Sequence, residues 1–337
     1  MYKFLILSIS ILSLSCTSNR LFYSIKDHDR GRTYNLLREN PELLNTRDIR
    51  GNTPLHYAIL ADDEELIAKF IRDGKDINAR NNIGFAAVHY AAETQNLFAL
   101  ELLKKAGASF DVLGDPGFSP LSIAIFNNAI YAVKFLVEKA KMSPNGMARE
   151  VEVPLVLAIQ LNNLEIARYL IESGVSTDAK SNKGITPFFV AAGKDDIPFL
   201  EYLMSKGFPI DVPSTQGYTA LNYSILLGKF QISDFLLEKQ ANPNLANYRG
   251  LNSVLIACMG GSLPILENVV RHGGKLSSVD KEGKTALHYA AFNGNEDLIK
   301  FLLNKGADKL AKDASNRTPY NIAEERGNTN ILPLLKI

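Results

Sequence analysis

An eight-residue string, Gly51-Asn52-Thr53-Pro54-Leu55-His56-Tyr57-Ala58, returns later in the chain as Gly283-Lys284-Thr285-Ala286-Leu287-His288-Tyr289-Ala290. Steps of 33 residues from Pro54 reach Ala87 and Pro120, then, after one inserted residue, Pro154, Pro187, Ala220, Ser253, Ala286 and Pro319. A repeat this short cannot bury its own apolar face, so neighbours must stack and the core must run along the array. The 337-residue length therefore counts repeats, not globular domains.

Thr-Pro-Leu-His-x-Ala at this spacing resembles the ankyrin repeat, over about residues 21–337. The resemblance implies an all-α solenoid: helix-turn-helix repeats joined by β-turn or hairpin loops, in an elongated curved stack. The expected repeats are an N-terminal cap at 21–47, then 48–80, 81–113, 114–147, 148–180, 181–213, 214–246, 247–279 and 280–312, and a C-terminal cap at 313–337.

Each position in the repeat has a local reason. Thr53 can cap the first helix while Pro54 takes N1, where a missing N–H is harmless. Small residues recur on its packing face: Ala58, Ala91, Ala124, Ala158, Ala191, Ser224, Ala257, Ala290 and Ala323. They let the next repeat approach closely. Gly51, Gly84, Gly117, Gly184, Gly217, Gly250 and Gly283 precede the helix where a turn wants positive φ, and Asn316 stands in for glycine in the last repeat. A second helix follows, such as Leu66–Ile71 or Leu298–Leu303, closed by Gly74, Gly107, Gly174, Gly207 or Gly306 as a left-handed cap.

The array is irregular at its ends and at one joint. Residues 139–153 lack the closing glycine, carry the inserted residue and have Val151 and Val153 in place of the turn Gly and Thr, which predicts a weak joint. Pro198 and Pro264 fall near the starts of second helices, with Ser262 as a cap for the latter, and should break neither. The N-terminal cap matches the pattern only in its second helix. The C-terminal cap, with Pro333 among Ile331, Leu332, Leu334 and Leu335, reads as poorly sealed.

Residues 1–15 combine Lys3 with an apolar run from Phe4 to Leu14, too short to span a bilayer but of the size of an export signal. Cys16 follows directly, which resembles the lipobox of bacterial lipoproteins, although Ser13 stands where that pattern has Leu. The resemblance implies a lipidated Cys16, a tether at 16–20 and a place in the bacterial cell envelope, on the periplasmic face or the cell surface. An unlipidated, secreted chain is the other reading, as is a buried N-terminal helix.

No catalytic or metal chemistry is visible. His56, His89 and His288 share one slot in different repeats, where the resemblance implies a hydrogen bond to the turn backbone; Cys258 sits in an apolar helix, and with only Cys16 besides it no structural disulfide is expected. No phosphate loop, G-x-S-x-G or H-E-x-x-H is present, so no cofactor, no metal and no enzyme are expected. Lys+Arg 37 against Asp+Glu 36 argues against nucleic acid as a partner. A monomer is expected.

What remains is a face for another protein. The slot before each Thr-Pro holds Asn52, Phe85, Phe118, Glu152, Ile185, Tyr218, Leu251, Lys284 and Arg317, read here as solvent-facing turn tips. The slot near the first helix end holds Leu60, Glu93, Phe126, Gln160, Gly193, Leu226, Met259, Phe292 and Glu325. Tyr218, Leu226, Leu251, Met259 and Phe292 would form one apolar patch rimmed by Arg249, Lys281, Lys284 and Arg317, with Phe85 and Phe118 as a second candidate. Aromatic and Met side chains inside an Arg/Lys rim are typical of binding hot spots. The expected function is a membrane-anchored protein-interaction module; the other reading is a secreted, host-directed effector or a regulator of a partner enzyme.

Overall fold

The computed structural model describes residues 17–74, 76–147 and 153–336, so the export signal and Cys16 lie outside the described residues. The chain divides into two compact blocks, one ending at Pro154 and the other starting at Leu155, at the end of the joint expected from the sequence. Almost everything described is helix and turn; among the described residues the isolated extended pairing is Val279 with Thr285.

The N-terminal block holds α1 (Thr17–Lys26), α2 (Arg30–Glu39), α3 (Pro54–Leu60), α4 (Glu64–Asp73), α5 (Ala87–Glu93), α6 (Leu97–Lys105), α7 (Pro120–Phe126) and α8 (Ile130–Glu138). Odd-numbered first helices pack side by side, and α4, α6 and α8 pack behind them. In α4 the reason is local. Leu66, Ile67 and Phe70 make a buried stripe, Asp63 accepts the Leu66 N–H at 3.1 Å, and Glu64 and Glu65 favour the helix start. Each such buried side chain contributes about 1.5–3 kcal/mol.

The C-terminal block opens on α9 (Pro154–Gln160), followed by α10 (Leu164–Glu172), α11 (Pro187–Ala192), α12 (Ile197–Ser205), α13 (Ala220–Leu226), α14 (Phe230–Glu238), α15 (Ser253–Met259), α16 (Leu263–Arg271), α17 (Ala286–Asn293), α18 (Glu296–Asn304), α19 (Pro319–Glu325) and α20 (Leu332–Leu335). First helices α11, α13, α15, α17 and α19 again lie side by side. The small packing-face residues from Ala58 to Ala323 are all buried.

Several details depart from expectation. Residues 17–20, read as tether, belong to α1, and Ser18 accepts a hydrogen bond from Thr46 at 3.0 Å; Leu21 and Ile25 are fully buried, so the first helix of the N-terminal cap starts earlier than expected and has an apolar face. The C-terminal cap is sealed, because Ile331 and Leu335 both turn inward. Gly74 is extended (φ −75°, ψ 151°), unlike Gly107, Gly174, Gly207 and Gly306, which are left-handed as expected. Where the joint lacks its closing glycine, Lys141 adopts φ 62° instead. Ser262 occupies the cap position before Pro264 without a side-chain hydrogen bond.

Candidate protein-binding face

The turn tips are built by the side chain of their first residue. Asn247 Oδ1 accepts the N–H groups of Arg249 (2.9 Å) and Leu251 (3.0 Å), and Asp280 Oδ1 does the same for Glu282 and Lys284 (2.8 Å each). Gly250 supplies φ 81°, and a Cβ there would stand 2.9 Å from Asp280 Cα, so the next tip can approach. Backbone bonds then run from tip to tip: Thr215 N–H to Lys183 O, Tyr248 to Gln216, and Lys281 to Arg249, each 3.0 Å.

This geometry corrects the reading of the tip slot. The residue after the glycine accepts a backbone hydrogen bond from the first residue of the turn, Asn247 N–H to Leu251 O and Asn81 N–H to Phe85 O, so it belongs to the closed turn and not to its free tip. Leu251 is fully buried and Phe85 is 5% exposed, its ring stacked on His89 at 4.7 Å. Tyr218, Phe118 and Lys284 are half-buried. The exposed tip residues stand two or three places earlier: Tyr248 (66% exposed), Arg249 and Lys281. The polar first residue of the turn was the signal for this closed turn.

Leu226 (44%) and Phe292 (48%) are exposed and Met259 half-buried, on α13, α17 and α15, which lie next to one another. Asn293 holds the end of α15 by donating to Cys258 O (3.0 Å) and Met259 O (2.9 Å), and Asn328 does the same for Ala291 O (2.9 Å) and Phe292 O (3.1 Å). The Arg326 guanidinium lies 4.1 Å from the Phe292 ring centre. Tyr223, which the sequence reading passed over, stands at i−3 from Leu226 and stacks on Phe189 at 4.5 Å. Its room comes from Gly193, where a Cβ would meet the tyrosine ring at 2.9 Å.

The histidines are structural. Ala86 N–H donates to His89 Nδ1 (3.1 Å), leaving the proton on Nε2 to meet Phe118 O at 3.2 Å; Thr285 N–H and Arg317 O bracket His288 likewise (3.1 and 3.0 Å). Thr53 N–H donates to His56 Nδ1 (2.9 Å), while the buried His56 Nε2 has no well-formed hydrogen bond among the described residues. Burial lowers the pKa of His56 and of His89 to about 4, and lowers His288 as well. Burial pushes the Cys258 thiol up to about 12, which suits an inert core thiol. Among the described residues no cluster of His, Cys, Asp or Glu is placed to hold a metal, and no helix is long and apolar enough to cross a membrane.

Paired helices on a 33-residue period with hydrogen-bonded turn tips define a repeat solenoid. The model for ankyrin repeats, three copies at a time, matches residues 21–112, 61–148, 88–181, 155–247 and 249–336, and the chain belongs to that family. It is similar to the nuclear factor NF-kappa-B p105 subunit of Gallus gallus, 27% identical over 52% of this chain and 19% of that protein. It is also similar to neurogenic locus notch homolog protein 1 of Xenopus tropicalis, 28% identical over 45% of this chain and 6% of that one. An intracellular phospholipase A2 of Caenorhabditis elegans is 30% identical over 44% of this chain and 15% of its own length. The matched stretch spans a fifth or less of each of these three relatives.

Proposed function

We propose that this chain is a protein-binding module whose site is the first-helix face of residues 155–337, and that lipid on Cys16 holds it to a bacterial cell envelope. The observation that carries the binding reading is the row Leu226, Met259 and Phe292. The same slot stays apolar in three neighbouring repeats, exposed at Leu226 and Phe292 and half-buried at Met259. Asn293 and Asn328 restrain the helix ends that carry Met259 and Phe292, which reduces the ordering cost of binding there. Burial holds the Cys258 thiol protonated and His56, His89 and His288 serve as caps, so the reading assigns no chemistry to these residues. The test is a pull-down with the full chain and with Met259→Ala/Phe292→Ala: a partner kept by the first and lost by the second supports the face, and equal capture places the site elsewhere. Anchoring is tested by labelling cells with a clickable fatty acid, and label retained by Cys16→Ala overturns it.

A further inference from the structure

The open face of the C-terminal block carries two rows. Its first helices of six to eight residues separate the tips from the helix ends by roughly 10 Å at 1.5 Å per residue. At the helix ends the row is Leu226, Met259 and Phe292, with Arg326 stacked on Phe292. At the tips it is Lys183, Tyr248, Arg249 and Lys281, all exposed, the last two on adjacent tips joined by a backbone hydrogen bond of 3.0 Å.

The charges of the tip row are not balanced locally. Glu282 is engaged by Lys284 at 2.6 Å, and Asp313 and Glu325 by Arg317 at 2.8 and 3.2 Å. Asp280 is buried in its turn and receives the Tyr289 hydroxyl at 2.6 Å. Among the described residues Lys183, Arg249 and Lys281 form no ion pair, and the carboxylate without an ion pair at these tips, Asp280, is buried, so the exposed unpaired charges there are cationic.

Building on the reading that this face binds protein, we propose that its ligand is an acidic, amphipathic segment of a partner protein. Apolar side chains of the segment cover Leu226, Met259 and Phe292, while its carboxylates meet Arg249 and Lys281. An extended segment laid between the rows turns alternate side chains to opposite edges, which matches one apolar and one cationic row. Arg249 can take a carboxylate in a two-point contact, and cations at the rim favour an acidic ligand in both encounter rate and register. A basic segment would meet unpaired like charges there.

The experiment pans a displayed library of random twelve-residue segments on the full-length chain held in detergent, in parallel with Arg249→Glu/Lys281→Glu and with Met259→Ala/Phe292→Ala. Circular dichroism and urea unfolding confirm that both variants stay folded. The proposal expects enriched segments that alternate Asp or Glu with Leu, Ile or Phe. As synthetic peptides they should bind at least tenfold more weakly to the charge-reversed variant and weaken steeply with added salt. Enriched segments that are neutral or basic, or acidic ones indifferent to charge reversal, overturn the acidic ligand; if these still lose binding to Met259→Ala/Phe292→Ala, the protein-binding reading stands. No enrichment that depends on either pair of residues overturns both.

Discussion

The two blocks share a repeat but start their first helices with different chemistry. In the N-terminal block α3 and α5 are capped through His56 and His89, whose Nδ1 atoms accept the Thr53 and Ala86 N–H groups, while α7 is capped by the Ser119 hydroxyl. In the C-terminal block α11, α13, α15 and α19 use Thr186, Thr219, Asn252 and Thr318 to accept the N–H three residues on, and only α17 uses a histidine. A hydroxyl or amide cap ignores acid. A histidine cap works only while Nδ1 is unprotonated, so the same architecture carries a pH sensitivity in one block that the other largely lacks.

The largest expected effect follows from that contrast. The folded pKa of His56 and His89, about 4, is depressed below the unfolded value of 6.5. Their contribution is therefore fully present above pH 6.5 and lost as pH falls toward 4, because the unfolded chain binds more protons in that window. By pH 5 each histidine has given up about 2 kcal/mol. Hydrogen exchange at pH 7 and pH 5 should show protection falling first at α3 and α5, and His56→Asn/His89→Asn should flatten the difference. Equal losses at α13 and α15 would break the comparison.

A comparable loss is expected from the core, this time in the other block. Leu287 and Leu251 are both buried, so Leu287→Ala or Leu251→Ala should each cost about 2–5 kcal/mol. Leu226→Ala, at an open position, should cost under about 0.5 kcal/mol. Urea unfolding of the three variants measures this. The loss should stay among α13 to α19, with protection of α3 to α7 unchanged, since a repeat array transmits stability mainly between neighbours and the sequence predicts a weak joint at 139–153. One uniform protection level across Leu43 to Ala323 would show that the joint does not uncouple the blocks.

Much of this was legible because the repeat makes local and tertiary demands coincide. Thr-Pro at a helix start, glycine at a positive-φ turn and alanine at a seam are each set by short-range sterics, so period alone placed α3 to α19. The missed features depend on direction, not on spacing. Leu251 and Phe85 read as exposed because they sit next to a turn, but hydrogen bonds from Asn247 and Asn81 hold them in the closed turn. The cap's first helix reads as charge-rich and without the Thr-Pro signature, so its apolar stripe of Leu21, Phe22 and Ile25 and its start within the tether were overlooked. The open row Leu226, Met259 and Phe292 was visible because it follows the same period as the core.

The smallest effect tests how far glycine is needed at the closing slot. Gly107, Gly174, Gly207, Gly273 and Gly306 all take φ between 79° and 87° there, and a Cβ on any of them would meet no atom within 4 Å. Space is therefore not the constraint; only the backbone conformation is. Gln240 holds the same slot at φ 66°, where a residue with a Cβ is disfavoured by about 1 kcal/mol. Gln240→Gly relieves that strain, but gives the unfolded chain more freedom to lose, which offsets part of the gain. The net expectation is a stabilisation of a few tenths to about 1 kcal/mol in urea unfolding. Gly207→Gln should destabilise by a similar amount without disturbing its neighbours. If Gly207→Gln instead unfolds the C-terminal block, the slot is constrained by packing as well as by φ, and Gln240 is tolerated only through its own surroundings.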